Sequence, residues 1–149
     1  MNLKQQLFLL CQKFIDERIA NSQSVIDAAN NSINEETKSS AGDKYETSRE
    51  MMTQEIKNNS AQMAEAIKQK QMLSQINTEK KSETIQVGSL VMTNHEKFFV
   101  AISAGALQLN KETYLAISPS SPLGRNLIDK QKGDSVTFNN KLYSILEVY

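Results

Sequence analysis

The sequence is poor in the residues that build covalent and metal-centred sites. Its 149 residues include one cysteine, Cys11, and one histidine, His95. A single cysteine cannot form an internal disulfide, and these two residues cannot supply an all-cysteine/histidine zinc site. We expect Cys11 to be a small buried apolar residue and His95 to be a solvated turn residue, so a Cys/His catalytic pair is not predicted.

Net charge and long apolar runs are also missing. The 17 basic and 17 acidic residues cancel, so the chain lacks the broad positive field that drives non-specific binding to nucleic acid or to an anionic membrane. No segment approaches the roughly 20 apolar residues of a membrane span, and the apolar run near the N-terminus is too short for a signal peptide. We therefore expect a cytoplasmic protein with no membrane partner.

Glycine and proline are nearly absent from the first half of the chain. Residues 1–83 contain a single glycine, Gly42, and no proline, whereas both prolines and the other four glycines follow residue 87. The first composition favours helix, and the second is typical of strands and turns. We predict an α+β protein with a helical hairpin over residues 1–79, a linker over 80–86 and a β-rich domain over 87–149.

Apolar residues in the first half recur at helical spacing in two runs. The first run is Leu3, Leu7, Leu10, Phe14, Val25, Ala29 and Ile33, and the second is Tyr45, Met52, Ile56, Met63, Ala66 and Leu73. Gly42 lies in the only helix-breaking stretch between them, since glycine adopts positive φ freely. The pattern predicts a long antiparallel coiled coil with its tip at about residues 36–44. Each arm should span roughly 50 Å and project from a domain with a radius of gyration near 11 Å.

The second half carries signals for three β-hairpins and one short helix. Strand-like runs flank turns at residues 94–97, 110–112 and 139–140, and Asn139 and Asn140 suit a type I′ turn because asparagine tolerates positive φ. Ser121 is a candidate helix N-cap, followed by Pro122 in the first turn. These signals predict an antiparallel sheet packed by one short helix.

Acidic side chains cluster near the expected hairpin tip, namely Glu35, Glu36, Asp43, Glu46 and Glu50. They are either solvated helix ends that complement the helix dipole, or ligands that reach a Mg²⁺ ion held by a partner, since Mg²⁺ readily takes carboxylate oxygens. No glycine-rich phosphate loop or other catalytic motif is present. We therefore expect a protein that is not itself an enzyme and holds no cofactor of its own.

Two motifs resemble one known family. The segment Ser121-Pro-Leu-Gly-Arg125, followed by Gly133-Asp134, closely resembles the C-terminal signature of the Gre-type bacterial transcription elongation factors, although residues 128–130 read Ile-Asp-Lys where Leu-Gly-Lys is more usual. Tyr45, Arg49 and Glu50 match the family's Tyr-x-x-x-Arg-Glu run. The resemblance implies an N-terminal coiled-coil hairpin followed by a small FKBP-like domain.

The resemblance also implies a partner and a mode of action. Members of this family bind the RNA polymerase core enzyme, with the C-terminal domain docked at the rim of the secondary channel and the hairpin tip near the active site and the nascent RNA 3′ end. Two tip acids there help to hold a catalytic Mg²⁺, so that the polymerase itself cleaves backtracked RNA. The implied docking residues are Ser121, Pro122, Gly124 and Arg125, and the implied tip residues are Glu36, Asp43, Tyr45, Glu46 and Arg49.

The acidic pair of the family is not matched. Counted back from Tyr45, its positions are occupied here by Lys38 and Ala41. Either Asp43, with Glu36 or Glu46, replaces the pair and makes a shared Mg²⁺ contact, or the protein occupies the channel without promoting cleavage. Lys38 and Lys44 are alternatives of opposite charge that could contact RNA phosphates.

Two other functions fit the composition. The heptad pattern is also that of a coiled-coil dimerising adaptor that presents a β-rich interaction domain. A prolyl isomerase is a third reading, although no run of aromatic residues suggests such a pocket and fold alone does not imply function. A monomer would favour the channel factor and a stable helical dimer the adaptor.

Overall fold

The computed structural model shows an α+β chain in which two long helices form a hairpin, followed by a six-stranded sheet and a short helix. The predicted order of a helical hairpin and then a sheet domain is confirmed. The structure describes the backbone of residues 1–38 and 42–149 and the side chains of residues 1–35 and 46–149. The described chain divides into two compact units: the hairpin unit, Ile15–Lys70, and the sheet unit, Met1–Phe14 with Gln71–Tyr149.

The two long helices are α1 (Leu3–Lys38) and α2 (Gly42–Ser74). Four of the predicted seam residues are buried, namely Leu7, Ala29, Ala66 and Leu73, and so are Cys11, Ile15 and Ile26. The last two were not part of the predicted seam. Over its described residues, neither helix has an apolar stretch of the length and hydropathy that a bilayer crossing requires.

Polar contacts support the helices of the hairpin unit. Lys70 Nζ of α2 donates a hydrogen bond of 2.6 Å to Asp16 Oδ1 of α1, and both side chains are exposed. Within α1, Gln23 Nε2 donates to Asp27 Oδ1 four residues later, a spacing that places both side chains on the same helix face. Such pairs contribute only a few tenths of a kcal/mol each, about 0.2–0.5. Apolar burial and helix propensity therefore provide most of the stability of this unit.

The sheet has the order β3-β4-β2-β1-β6-β5. Its strands are β1 (Leu90–Thr93), β2 (Lys97–Val100), β3 (Gly105–Leu109), β4 (Glu112–Ile117), β5 (Ser135–Phe138) and β6 (Lys141–Val148), with α3 (Pro122–Leu127) between β4 and β5. Four strand pairs are antiparallel, as predicted, and they include the three expected hairpins.

One pair departs from the predicted antiparallel sheet. β2 and β4 run parallel, with Phe98 opposite Leu115 and Val100 opposite Ile117, so the sheet is mixed. The apolar pattern explains the order of the strands. β4 buries Tyr114 and packs further apolar side chains on the core, whereas β3 is largely exposed and lies at the edge. Placing β4 rather than β3 beside β2 therefore buries more apolar surface.

One core cluster of the sheet unit joins residues of the sheet to Leu127 of α3. It is formed by Ile85, Val91, Phe98, Val100, Leu127, Val136, Tyr143, Ile145 and Val148. Ile85 precedes the first strand and belongs to the segment predicted as linker. Its backbone N–H donates to the carbonyl of Lys130 at 2.8 Å, and its carbonyl accepts from the N–H of Asp129 at 2.9 Å. These bonds attach residue 85 to the loop that follows α3.

The two tight hairpin turns have positive φ values at both central residues, as predicted for Asn139 and Asn140. Asn139 and Asn140 have φ values of 51° and 63°, the positive values that a type I′ turn requires. Asn110 and Lys111, between β3 and β4, have φ values of 52° and 66°. Each turn fixes the register of the strands that it joins, and hence which side chains face the core.

Candidate functional site

The start of α3 contains the segment Ser121–Arg125, which includes the predicted docking residues. Ser121 is the N-cap, since its Oγ accepts a hydrogen bond of 3.1 Å from the N–H of Gly124. The same hydroxyl donates to the carbonyl of Ser118 at 2.6 Å. Pro122 occupies the first turn, as predicted, where the lack of an N–H costs nothing. The hydroxyl of Ser121 is thus committed to holding the helix start.

Gly124 has a packing role. It is buried, and a Cβ atom at this position would lie 2.0 Å from the carbonyl oxygen of Ser118. No side chain fits there without displacing the backbone of residue 118. The resemblance implies a docking role for Gly124, but a buried residue without a side chain influences a partner only by positioning its neighbours. Whether α3 docks to a partner stays a prediction.

Arg125 and Pro122 are the exposed members of the predicted docking set. Arg125 lies at an open groove of about 460 Å³, whose other lining residues are Gln86, Val87, Pro119 and Ile128. A guanidinium beside apolar side chains suits a partner that offers a carboxylate next to an apolar residue, because arginine binds carboxylates through two parallel hydrogen bonds. The motif pointed to Arg125, but the apolar wall was missed because its residues are distant in sequence.

Only part of the predicted tip lies among the described side chains. Glu36, Asp43 and Tyr45 fall outside the described side chains, so the predictions made for them are not addressed. Glu46 and Arg49, in the first turns of the described part of α2, are exposed. They line an open groove along α2 together with Thr47, Glu50, Thr53, Gln54, Ile56, Lys57 and Ser60. Glu46 and Arg49 belong to the hairpin unit, and Arg125 belongs to the sheet unit.

Cys11 and His95 are the remaining candidates for a catalytic role, and each has a local structural role. Cys11 is buried, as expected, and burial raises the pKa of its thiol to about 12, which leaves it a poor nucleophile at neutral pH. His95 is exposed in the β1–β2 turn, as expected. Its ring packs edge-on against Tyr143 with 5.3 Å between ring centroids, and its Nε2 lies 3.0 Å from the carbonyl oxygen of Leu142.

Within residues 1–35 and 46–149, no three histidine, cysteine, aspartate or glutamate side chains are grouped closely enough to hold an ion. Any Mg²⁺ contact made by the described residues would therefore use at most two such side chains, for example Glu46, on an ion whose other ligands belong to a partner.

Comparisons with known proteins add no assignment: no protein-family model matches the chain, and no curated protein matches it significantly.

Proposed function

We propose that this protein is a non-enzymatic factor that binds the secondary channel of RNA polymerase in the cytoplasm and regulates transcription elongation. The observation that carries the proposal is the segment Ser121–Arg125, which resembles the Gre-type signature, in a chain that also has a long helical hairpin. The run of Tyr45, Arg49 and Glu50 on the hairpin adds a second, independent resemblance.

The surface at α3 supplies the docking chemistry. Ser121 and Gly124 fix the helix start, and this places Arg125 beside the apolar groove that contains Val87 and Pro119. The partner surface on the polymerase should then carry a carboxylate flanked by an apolar side chain. The hairpin unit would supply the second contact, at the active site.

Docking is tested by measuring the affinity of the full-length protein for purified core polymerase. We expect Arg125→Glu to weaken binding at least about tenfold, because it replaces attraction to a carboxylate by repulsion. Lys111→Glu is the matched control, since it reverses an exposed charge in the β3–β4 turn, at the far end of β4 from α3, and should bind as the wild type does. Absence of wild-type binding to the core enzyme would refute the proposed function.

The two readings of the acidic tip are separated by transcript cleavage. If Asp43 supplies the shared Mg²⁺ contact, the protein should release short RNA fragments from backtracked complexes, and Asp43→Asn should abolish the release. Glu17→Gln, which neutralises an exposed carboxylate on α1 away from the predicted tip, is the control. If the protein binds the polymerase but releases no RNA, it acts by occupying the channel. If Asp43→Asn cleaves as well as the wild type, Asp43 has no part in the reaction.

The dimerising adaptor is the second candidate, and the hairpin unit bears on it. Two large apolar side chains of α2, Met51 and Ile67, are exposed. They are 16 positions apart, which at 3.6 residues per turn places them roughly 160° apart around the helix. They therefore do not form one stripe that a second copy could cover, which favours a monomer. Light scattering tests this inference, because a stable dimer would support the adaptor instead.

A further inference from the structure

A cavity of about 380 Å³ lies within the sheet unit, and it shares only Gln86 and Val87 with the groove beside Arg125. Its lining includes Lys4 near the start of α1, Met72 and Ile76 near the end of α2, Lys80 in the following segment, and Val87 and Gly88 before β1. This volume falls within the range of small-molecule sites, roughly 300–1,000 Å³.

Lys4 is unusual for a lysine because it is buried, with 9 % of its surface exposed. Its Nζ donates a hydrogen bond of 2.7 Å to the backbone carbonyl of Lys80, and among the described residues no carboxylate forms an ion pair with it. Burial accordingly lowers the pKa of Lys4. A buried ammonium that lacks a counter-charge is costly, and lysine is rarely buried unless it is paired.

The charge around the cavity has one sign. Lys4 and Lys80 are the only charged residues among the described residues that line it, although the chain as a whole has as many acids as bases. Amide and hydroxyl groups of Gln75, Asn77, Ser82, Gln86 and Ser89 add hydrogen-bond donors. A ligand with a negative charge would supply the counter-charge that Lys4 lacks.

One wall of the cavity is preformed and partly apolar. Gly88 donates through its N–H to the carbonyl of Val100 at 2.6 Å, and the hydroxyl of Ser89 accepts from the N–H of Gln86 at 2.9 Å. A Cβ atom on Gly88 would lie 2.9 Å from Ile76 Cγ2, so backbone and side chain are already in close contact there. Together with Met72 and Val87, this wall adds apolar surface to a cavity that Lys4 and Lys80 also line.

We propose that this cavity binds a small organic anion, with its charged group at Lys4 and Lys80 and its apolar part against Met72, Ile76 and Val87. The inference does not depend on the polymerase proposal, because Lys4 and Lys80, which supply its charge, do not line the groove beside Arg125. Binding would stabilise the sheet unit by mass action, since the folded cavity is required for it.

The proposal is tested with two fluorescent probes that share a ring system, anilinonaphthalene sulfonate and its uncharged parent N-phenylnaphthylamine. We expect the full-length protein to bind one equivalent of the sulfonate at least about tenfold more tightly than the neutral probe, because only the sulfonate neutralises the two ammonium groups. In ¹⁵N-resolved spectra, the amides of Gly88 and Ser89 should shift during the titration.

The variant Lys80→Gln removes one charge and keeps the backbone carbonyl that accepts from Lys4, so the fold should be retained, which a thermal melt checks. It should reduce the preference for the sulfonate at least about fivefold. Lys13→Gln, which removes an exposed charge from α1, should leave that preference unchanged. The proposal is overturned if the neutral probe binds as tightly as the sulfonate, if both variants behave alike, or if the shifted amides lie away from the cavity.

Discussion

The hairpin unit and the sheet unit bury their apolar residues in different ways. Among the described residues of the hairpin unit, the buried apolar side chains are Ile15, Ile26, Ala29 and Ala66, of which two are alanines. The sheet unit buries large side chains, including Phe98, Phe99, Leu90, Ile102 and Ile145. Because hydrophobic stabilisation follows the apolar area removed from water, the sheet unit should hold most of the stability of the chain.

The difference shows how a helical hairpin can be stable although its apolar core is small. α1 and α2 together contain one glycine and no proline, so helix propensity and local hydrogen bonds supply what packing does not. We expect the hairpin unit to open more readily than the sheet unit. Amide hydrogen exchange should therefore show lower protection in the middle of α2 than in β1 and β6.

The largest expected effect is in the core of the sheet unit. Phe98 is 1 % exposed and packs edge-on against Tyr143, with 5.7 Å between ring centroids. Phe98→Ala should lower the free energy of unfolding of this unit by about 3–5 kcal/mol, through lost burial and the cavity that remains. Chemical denaturation followed by the fluorescence of the tyrosines measures the change.

The control for this variant is Leu142→Ala on β6. Leu142 is 55 % exposed, so its truncation should change the free energy of unfolding by less than about 0.5 kcal/mol. If both variants lost the same free energy of unfolding, burial would not determine the stability of the sheet unit. That result would contradict the comparison between the units.

A smaller effect is expected in the hairpin unit. Ile26 on α1 is 8 % exposed, and Ile26→Ala should cost about 2 kcal/mol, at the low end for isoleucine, because neighbouring side chains of a thin core can relax toward the cavity. Ile67→Ala on α2 is the matched control. Ile67 is 41 % exposed, and alanine is the better helix former, so little or no loss is expected. The free energy of unfolding of both variants is measured by denaturation followed by helical circular dichroism. A larger loss for Ile67→Ala than for Ile26→Ala would show that the buried face of the hairpin is misassigned.

The next effect is local to the helix start in the sheet unit. Ser121→Ala removes the N-cap of α3 and should cost about 1 kcal/mol, since one N–H of the first turn loses its acceptor. Ser120→Ala, whose exposed hydroxyl contacts only the neighbouring Ser118 Oγ and is readily replaced by water, should cost less. The thermal midpoints of the two variants are compared. If Ser121→Ala lowered the midpoint no more than Ser120→Ala, the capping role of Ser121 would be contradicted.

Much of the fold could be predicted from sequence because its signals are local. The lack of proline before residue 83, the N-cap at Ser121 and the two asparagines at 139–140 each determine backbone conformation within a few residues. The parallel pairing of β2 with β4 could not be predicted in this way, because it depends on which strand buries more surface in the assembled sheet. The burial of Ile15 and Ile26 was missed because the buried face of α1 does not follow the chosen heptad.

The candidate site was predicted less completely. Arg125 and Ser121 belong to one contiguous motif, so the sequence could point to them. The groove beside Arg125 joins residues near 87, 119 and 128, and no local pattern predicts that they meet. The burial of Lys4 could have been predicted from the sequence. Positions 4, 7 and 11 lie on one face of α1, and this face is buried at Leu7 and Cys11, so Lys4 lies on an apolar stripe.

The smallest expected effect on stability comes from breaking an ion pair, and one such pair from each unit can be compared. Lys141 Nζ donates a hydrogen bond of 2.8 Å to Glu96 Oε1 in the sheet unit, and this bond is the main reason why the pKa of Glu96 lies below its ordinary value. A carboxylate with a depressed folded pKa stabilises the fold above its unfolded pKa, about 4.3, and this stabilisation is lost as the pH falls through the folded pKa.

Glu96→Gln should therefore lower the thermal midpoint slightly at neutral pH, and the difference from the wild type should disappear as the solution is acidified below about pH 4.3. The effect is small because both side chains of the pair are partly exposed, and because among the described residues Glu96 Oε2 is buried without a hydrogen-bond partner. Asp16→Asn breaks the more exposed pair with Lys70 in the hairpin unit and should have a still smaller effect. A loss at Asp16 that exceeds the loss at Glu96 would mean that electrostatic pairing, and not apolar burial alone, distinguishes the two units.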